Sequence, residues 1–433
     1  MRGRRVVITG LGVVTPVGIG IDAYWKNIKS GKSGVGRISS FDASRLPVPI
    51  AAEVKDSEFD PRTHIKNRKL LKLLSRSAVF AMAAANMAVE DSNLPLRDLD
   101  PGRMGVHLGV LYGNHTVWDN VNHLLECESE TMPGTFDSTK YYARFVEHSN
   151  PVDNLKALTN LPACHLAIVH NARGPVNTFV ANATAGTQAI GSAYQAIERG
   201  CSDMMIAGGA EAAITPQSLI DYFLFLTMAT NHQDVPEKAC RPFDAQRSGM
   251  VLGEGAAIMI LESLEHALKR NAKIYGEVLG YGCAAGNLHF GERGKDGSIA
   301  LSMEKAMTEA DLKAPDLDYI NGNGDSTPWG DKSETLAIKK VFGEIAYKIP
   351  ISSTKSMTGH LSSASGAVEL ITSLLAMREG IIPPTINYEH PDPDCDLDYV
   401  PNQARQSRVE TVLSNSIGWF GESASLIVGK FMG

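Results

Sequence analysis

The sequence predicts a layered α/β fold in which sheets are covered by helices. Two observations predict it: apolar runs that lack in–out alternation, and helical patterns that recur between them. Unalternated apolar runs suit strands buried on both faces, and their interleaving with helices suits a layered architecture. Forty glycines and a charged content of 21% add the expectation of a compact chain with many tight turns.

In chain order, VVITGLGVV (6–14) forms the first strand and SRSAVFAMAAANMAVEDS (75–92) the first long helix. MGVHLGVL (104–111) is the next strand. Residues 113–150 are polar and rich in Glu, Thr and Tyr, and read as an insertion capping the site or a subunit interface. VNTFV (176–180) is a strand, TQAIGSAYQAIERG (187–200) a helix, and MMIAGGA (204–210) and AAIMIL (256–261) two more strands. GSIALSMEKAMTEADL (297–312) follows as a helix.

A weak internal echo runs through this order. ATAGTQAIGSAYQAIERG (183–200) and SSASGAVELITSLLAMREG (362–380) each begin with tiny residues, become an apolar-faced helix and end in charge plus glycine. Each also follows a short strand, at 176–180 and 349–354. One strand–helix unit used twice would bring two helix N-termini together at the centre. Two ordinary Ala-rich buried helices explain the same letters, and the residues alone do not choose.

At 433 residues and 43% hydrophobic content, the chain is long enough for two to three average domains. A net charge of −7 gives no basic face for nucleic acid. No apolar run reaches the roughly 18–20 residues of a membrane span, and no leader is expected ahead of the strand at Val6. Cysteines 127, 164, 201, 240, 283 and 395 show neither C-x-x-C nor metal spacing, so reduced thiols and a cytoplasmic location are expected.

The segment GPVNTFVANATAGTQAIG (174–191) is a short strand followed by small residues opening a helix. Unpaired N–H groups of a first helical turn lower a thiol pKa and stabilise an oxyanion. This is the build of a nucleophile seat, yet no nucleophile stands in it.

Five motifs make that absence legible: RRVVITGLGVVTPV (4–17), AGGAEA (207–212), RPFDAQRSGMVLGEGA (241–256), SSTKSMTGHLSSASGAVE (352–369) and IIPPTIN (381–387). By these the chain resembles the β-ketoacyl-acyl-carrier-protein synthases, type II elongating ketosynthases in particular. The resemblance implies a thiolase-like duplicated α-β-α-β-α fold and decides for the repeat. It implies an N-terminal half at 1–260 and a C-terminal half at 261–433, with the junction near 250–275.

The same resemblance implies a catalytic cysteine and two histidines. Aligned on Gly186, Gln188 and Gly191, the cysteine position holds Ala183, a vacant nucleophile position. In NGNGDSTPWGD (321–331), Asn323 stands where the first histidine is expected, and Asp325 replaces a threonine. An amide keeps a hydrogen-bond donor but cannot cycle a proton near neutral pH. Asp325 brings negative charge toward the site unless paired, for which Lys355 is the candidate. Asp331 and Glu334 match family positions and read as structural.

The second histidine survives as His360. Together with Lys355 and Glu369 it matches the family as a set, which favours the central pocket over a plain core histidine. In NSIGWFGESAS (415–425) the family's gate phenylalanine is Trp419, and Phe420 replaces a glycine before Gly421. Because glycine reaches backbone angles that are costly for phenylalanine, a stiffer acyl-chain gate is expected there. Lys66, Arg68, Lys69, Lys72 and Arg76 form a basic cluster entering a helix. That is a solvated face by default, and by resemblance a docking site for acidic acyl carrier protein.

Three functional readings follow. The first is a non-condensing partner subunit resembling a chain-length factor, which forms a homodimer or a heterodimer with a cysteine-bearing ketosynthase through VNTFV. The second is a malonyl-acyl-carrier-protein decarboxylase, with His360 and Asn323 sharing an enolate oxygen. The third is a 3-oxoacyl synthase inactivated by an introduced cysteine-to-alanine change at 183. None requires a cofactor or a metal.

Overall fold

The computed structural model describes residues 3–95, 99–112, 124–129, 132, 134–148, 151–286 and 297–433. Its centre is an eleven-stranded mixed sheet path. Ten strands carry the argument: β1 (Val6–Thr15), β2 (Met104–Gly109), β3 (Val176–Phe179), β4 (Met204–Glu211), β5 (Gly255–Ser263), β6 (Gly276–Ala285), β7 (Tyr319–Asn321), β8 (Ile351–Ser352), β9 (Thr411–Ile417) and β10 (Glu422–Gly429). The helices used below are α1 (Ile21–Lys29), α2 (Arg76–Asp91), α3 (Ser138–His148), α4 (Leu161–Val169), α5 (Ala185–Glu198), α6 (Pro216–Leu224), α7 (Ser298–Ala310), α8 (Pro328–Phe342) and α9 (Ser365–Glu379).

The strand order is β8-β7-β9-β10-β6-β1-β5-β4-β2-β3. Read outward from the β1/β6 pair, both sides run identically: β1-β5-β4-β2-β3 and β6-β10-β9-β7-β8. The two sets meet only at Val6↔Val278, Val7↔Glu277 and Ile8↔Gly276. This is the duplication that the family resemblance implied. The expected boundary at residue 260 falls inside β5, which pairs with β1 from Ala256 through Ser263.

The helices repeat as well. On β1, a Cβ at Gly12 would collide with the Ala84 carbonyl of α2; on β6, a Cβ at Gly282 would collide with the Ser302 carbonyl of α7. Glycine at both places lets a helix lie directly on its strand. Between the two halves of the sheet run α5 and α9, whose Ile190, Ala193, Ile197, Val368, Ile371 and Leu374 share one buried cluster with β1 and β5. Outer clusters place α2 and α4 against the first half and α7 and α8 against the second. The arrangement is the thiolase-like layering expected from the sequence.

One strand departs from expectation. VNTFV is apolar but not buried on both faces: β3 pairs only with β2, at the end of the sheet, and Val176 and Val180 are exposed. An edge strand has one neighbour by construction, so its apolar side chains lack cover within one chain. Of the proposed capping insertion, residues 113–123 lie outside the described residues, while 138–148 form α3. Among the described residues, no helix is long and apolar enough to cross a membrane.

Candidate active site

Two sharp elbows, each opening a long helix, meet at the centre. After β3, Asn182 adopts φ +49 and a 3-10 turn, Asn182–Thr184, leads into α5. In the second half Ser362 adopts φ +47 and a 3-10 turn, Ser362–Ala364, leads into α9. Neither residue is glycine, so each elbow carries backbone strain of about 1–3 kcal/mol that the surrounding packing must hold. The turns interlock, because a Cβ on Gly186 would lie 2.5 Å from the Ser363 carbonyl oxygen.

Ala183 occupies the middle of the first turn and is buried, with 1% of its surface exposed. The matching residue of the second turn is Ser363, whose hydroxyl donates to Glu211 Oε2 at 2.8 Å and to the Ala210 carbonyl at 2.9 Å. Glu211 also accepts from the backbone N–H of Leu111. Complete burial raises its carboxyl pKa to about 7, against the pull of these donors. The AGGAEA motif contains this glutamate, but its letters alone do not mark it as a site residue.

Lys355 and Glu369 form a buried ion pair at 2.6 Å, with side chains only 1% and 2% exposed. Lys355 Nζ also donates to the Asn323 carbonyl oxygen at 2.6 Å and to Asn323 Oδ1 at 3.2 Å. Its three protons thus have three acceptors. The pairing of Asp325 with Lys355 considered from sequence is not formed. Asp325 instead accepts from the N–H and hydroxyl of Thr327, at 2.8 and 2.6 Å. Burial pushes the Glu369 carboxyl up, opposed by Lys355.

Asn323 is fixed from every side. Its N–H donates to Glu334 Oε1 at 2.8 Å, and its Oδ1 accepts from Ile417 N–H at 3.1 Å. The amide oxygen being occupied, Nδ2 is the donor end. Glu334 further accepts from Gly324 N–H and Asn415 Nδ2, and burial raises its carboxyl pKa. Asp331, likewise raised by burial and by neighbouring Asp325, holds the N–H groups of Phe243 and Ser326. Both carboxylates shape the loop.

His360 is 1% exposed. Its backbone N–H donates to Val251 and its carbonyl accepts from Gly253, so the GMVLGEGA stretch positions it. Its Nδ1 accepts from Ser362 N–H at 3.0 Å. Burial, helped by nearby Lys355, lowers its pKa to about 3, so the ring is neutral.

Trp419 lies 6.5 Å from the His360 ring, centroid to centroid, and meets Tyr222 of α6 edge-on at 4.2 Å. Phe420 is 47% exposed and stacks edge-on against Phe225. The backbone cost expected at Phe420 is not found there: the left-handed angle of this turn, φ +87, falls on Gly421. The turn is instead tied by Glu422, whose Oε2 accepts from Phe420 N–H and whose carbonyl accepts from Gly418 N–H.

The basic cluster divides. Lys66, Arg68, Lys69 and Lys72 are exposed, whereas Arg76 is committed inward. It binds Glu254 through Nε and Nη2 at 2.9 and 2.7 Å and Asp56 at 3.0 Å, and lies over Phe80. That fork anchors α2 to the segment before β5. It was not readable in sequence because 178 residues separate Arg76 from Glu254.

Two family models match the chain: the N-terminal domain of beta-ketoacyl synthases over residues 3–267, and the C-terminal domain over 275–389. The 3-oxoacyl-[acyl-carrier-protein] synthase 2 of Coxiella burnetii is 40% identical over 99% of both chains. The putative polyketide beta-ketoacyl synthase 1 of Streptomyces halstedii is 38% identical over 98% of both. Among solved structures, a chain from a type II PKS acyl-carrier protein in complex with its hexaketide-bound ketosynthase matches with TM-score 0.85. Its identity is 32%, over 99% of this chain and 100% of that one. The ishigamide ketosynthase/chain length factor matches with TM-score 0.84 and 31% identity, over 99% of this chain and 100% of that one.

Proposed function

Because the chain belongs to the β-ketoacyl synthase family, homologous to enzymes of fatty acid and polyketide synthesis, we propose that it is a non-condensing partner subunit. On this reading it resembles a chain-length factor that pairs with a cysteine-bearing ketosynthase and receives an acyl carrier protein. One observation carries the reading: the buried position at the first elbow holds the methyl group of Ala183. Thioester exchange needs a nucleophile at that point, and alanine has none.

Neither Cys164 nor Cys240 is a substitute. Cys164 sits on α4, ahead of β3 rather than on the elbow. Cys240 is buried, donates to the Lys355 carbonyl and has its thiol pKa raised to about 12. The open edge of β3 supports pairing with a second subunit, and the four exposed cations at 66–72 support an acidic carrier. A cysteine-to-alanine change introduced at 183 explains one position and leaves Asn323, Trp419 and Phe420 unexplained.

The decarboxylase reading has one observation in its favour: Asn323 Nδ2 and the neutral His360 imidazole are both donors fit to hold an enolate oxygen. The buried Asp325 weighs against adding negative charge nearby.

Supplied with acyl- and malonyl-loaded carrier protein, the chain alone should give no β-ketoacyl product. Mixed with a cysteine-bearing sister subunit, it should restore the product or change its length. Condensation by the chain alone overturns the proposal, and carbon dioxide release without condensation selects the decarboxylase.

A further inference from the structure

The turn Gly418–Gly421 carries Trp419 beside His360, yet strand pairing does not hold it. Pairing of β9 with β10 ends at Ile417↔Ser423, which leaves the turn outside that ladder. Glu422 closes the turn on itself twice over. Its carbonyl accepts from Gly418 N–H at 2.8 Å, and its Oε2 accepts from Phe420 N–H at 3.0 Å.

The Glu422 side chain is folded back beneath its own turn. A Cβ on Gly418 would lie 2.1 Å from Glu422 Oε1, so glycine at 418 leaves the carboxyl its place. From the other side, the Asn182 side chain of the first elbow hydrogen-bonds to the same carboxyl. One side chain therefore joins the turn that carries Trp419 to the residue next to Ala183. Burial raises the Glu422 carboxyl pKa, and the groups that oppose it are N–H donors, with no cation among them. Hydrogen bonding rather than charge makes this join.

We propose that Glu422 is a positioning residue, which clasps the Gly418–Gly421 turn to the first elbow and so fixes Trp419 between His360 and Tyr222. The stiffness of the turn then comes from the matched pair Gly418 and Glu422, not from the backbone of Phe420. The clasp goes beyond the partner-subunit reading, because it concerns the turn and the elbow alone and holds whether or not the chain condenses.

The test uses the full chain, without ligand, and two readouts. Hydrogen–deuterium exchange of the residue 418 amide reports opening of the turn, since its acceptor, the Glu422 carbonyl, survives every side-chain change. Acrylamide quenching of fluorescence, with Trp419→Phe subtracting the remaining tryptophans, reports the cover over Trp419. Glu422→Ala forfeits two side-chain hydrogen bonds and should speed exchange at 418 about tenfold, with Trp419 more readily quenched. Glu422→Gln keeps the shape and an acceptor oxygen, and should stay within about twofold of the parent on both readouts. Gly418→Ala pushes the carboxyl aside, so it should raise quenching in the parent and add nothing on a Glu422→Ala background. Should Glu422→Ala fail to fold by circular dichroism, Gly418→Ala compared with Glu422→Gln decides the matter. Unchanged exchange and quenching in Glu422→Ala, a Glu422→Gln variant as open as Glu422→Ala, or an undiminished Gly418→Ala effect on the Glu422→Ala background would each overturn the clasp. None of these results bears on condensation, so the two proposals fail separately.

Discussion

The elbows at Asn182–Thr184 and Ser362–Ala364 share a backbone and differ in chemistry. Both place a non-glycine residue near φ +50, both turn through one 3-10 turn into a long buried helix, and both are followed by glycine, at 186 and 366. The second uses its middle residue structurally, with Ser363 tied to Glu211; the first holds a methyl group at Ala183. The strained geometry therefore does not depend on a nucleophile. It is maintained by interlocking, each elbow packing against the other, with only a methyl group in the middle of the first.

The largest effect is expected at the buried ion pair that ties the helix of the second elbow to the Asn323 loop. Lys355→Met removes the cation between Glu369 and Asn323, leaves a buried carboxylate uncompensated, and should cost about 3–5 kcal/mol in urea unfolding. Adding Glu369→Leu should recover much of it; a single variant as stable as the parent breaks the account.

Next comes Glu211, which holds Ser363 of the second elbow and the N–H of Leu111. Its carboxyl is raised from an ordinary value of 4.5 to about 7. The fold therefore favours the protonated form: the contribution is complete below about pH 4.5 and is lost as pH rises through 7. Relative to Glu211→Gln, the parent should lose at most about 3 kcal/mol between pH 5 and pH 8, by urea titration at each pH. Parallel curves would show that the second elbow carries no such proton.

The smallest effect separates the elbows themselves. Gly186→Ala should cost about 1–3 kcal/mol, because the new Cβ meets the Ser363 backbone carbonyl, which cannot rotate away. Gly366→Ala should cost less, since there the Cβ meets the side-chain oxygens of Thr187 and Ser416. A reversed order of melting temperatures would mean that the first elbow is the more adaptable one.

Much of this was legible in the letters, for physical reasons. Unalternated apolar runs found β1, β2, β4 and β5, because a strand covered on both faces has no polar side to show. Tiny residues before each helix found both elbows, since only small side chains fit where two turns interlock. The exposure of β3 was not legible, because its apolar letters read the same for an edge strand as for a buried one. Nor was the Trp419–Tyr222–His360 contact, which joins residues far apart in sequence. Asp325 was given the wrong partner because charge alone suggested Lys355, while the nearer Thr327 closes a local turn.

The central claim is an intact seat without its nucleophile, and intact-mass measurement of the parent chain and Ala183→Cys, side by side with acyl-loaded carrier protein, tests it most directly. The parent should show no mass change, and the variant should gain one acyl group at residue 183, where the thiol stands at a helix start. An adduct on the parent, or none on a folded Ala183→Cys variant, would contradict the account.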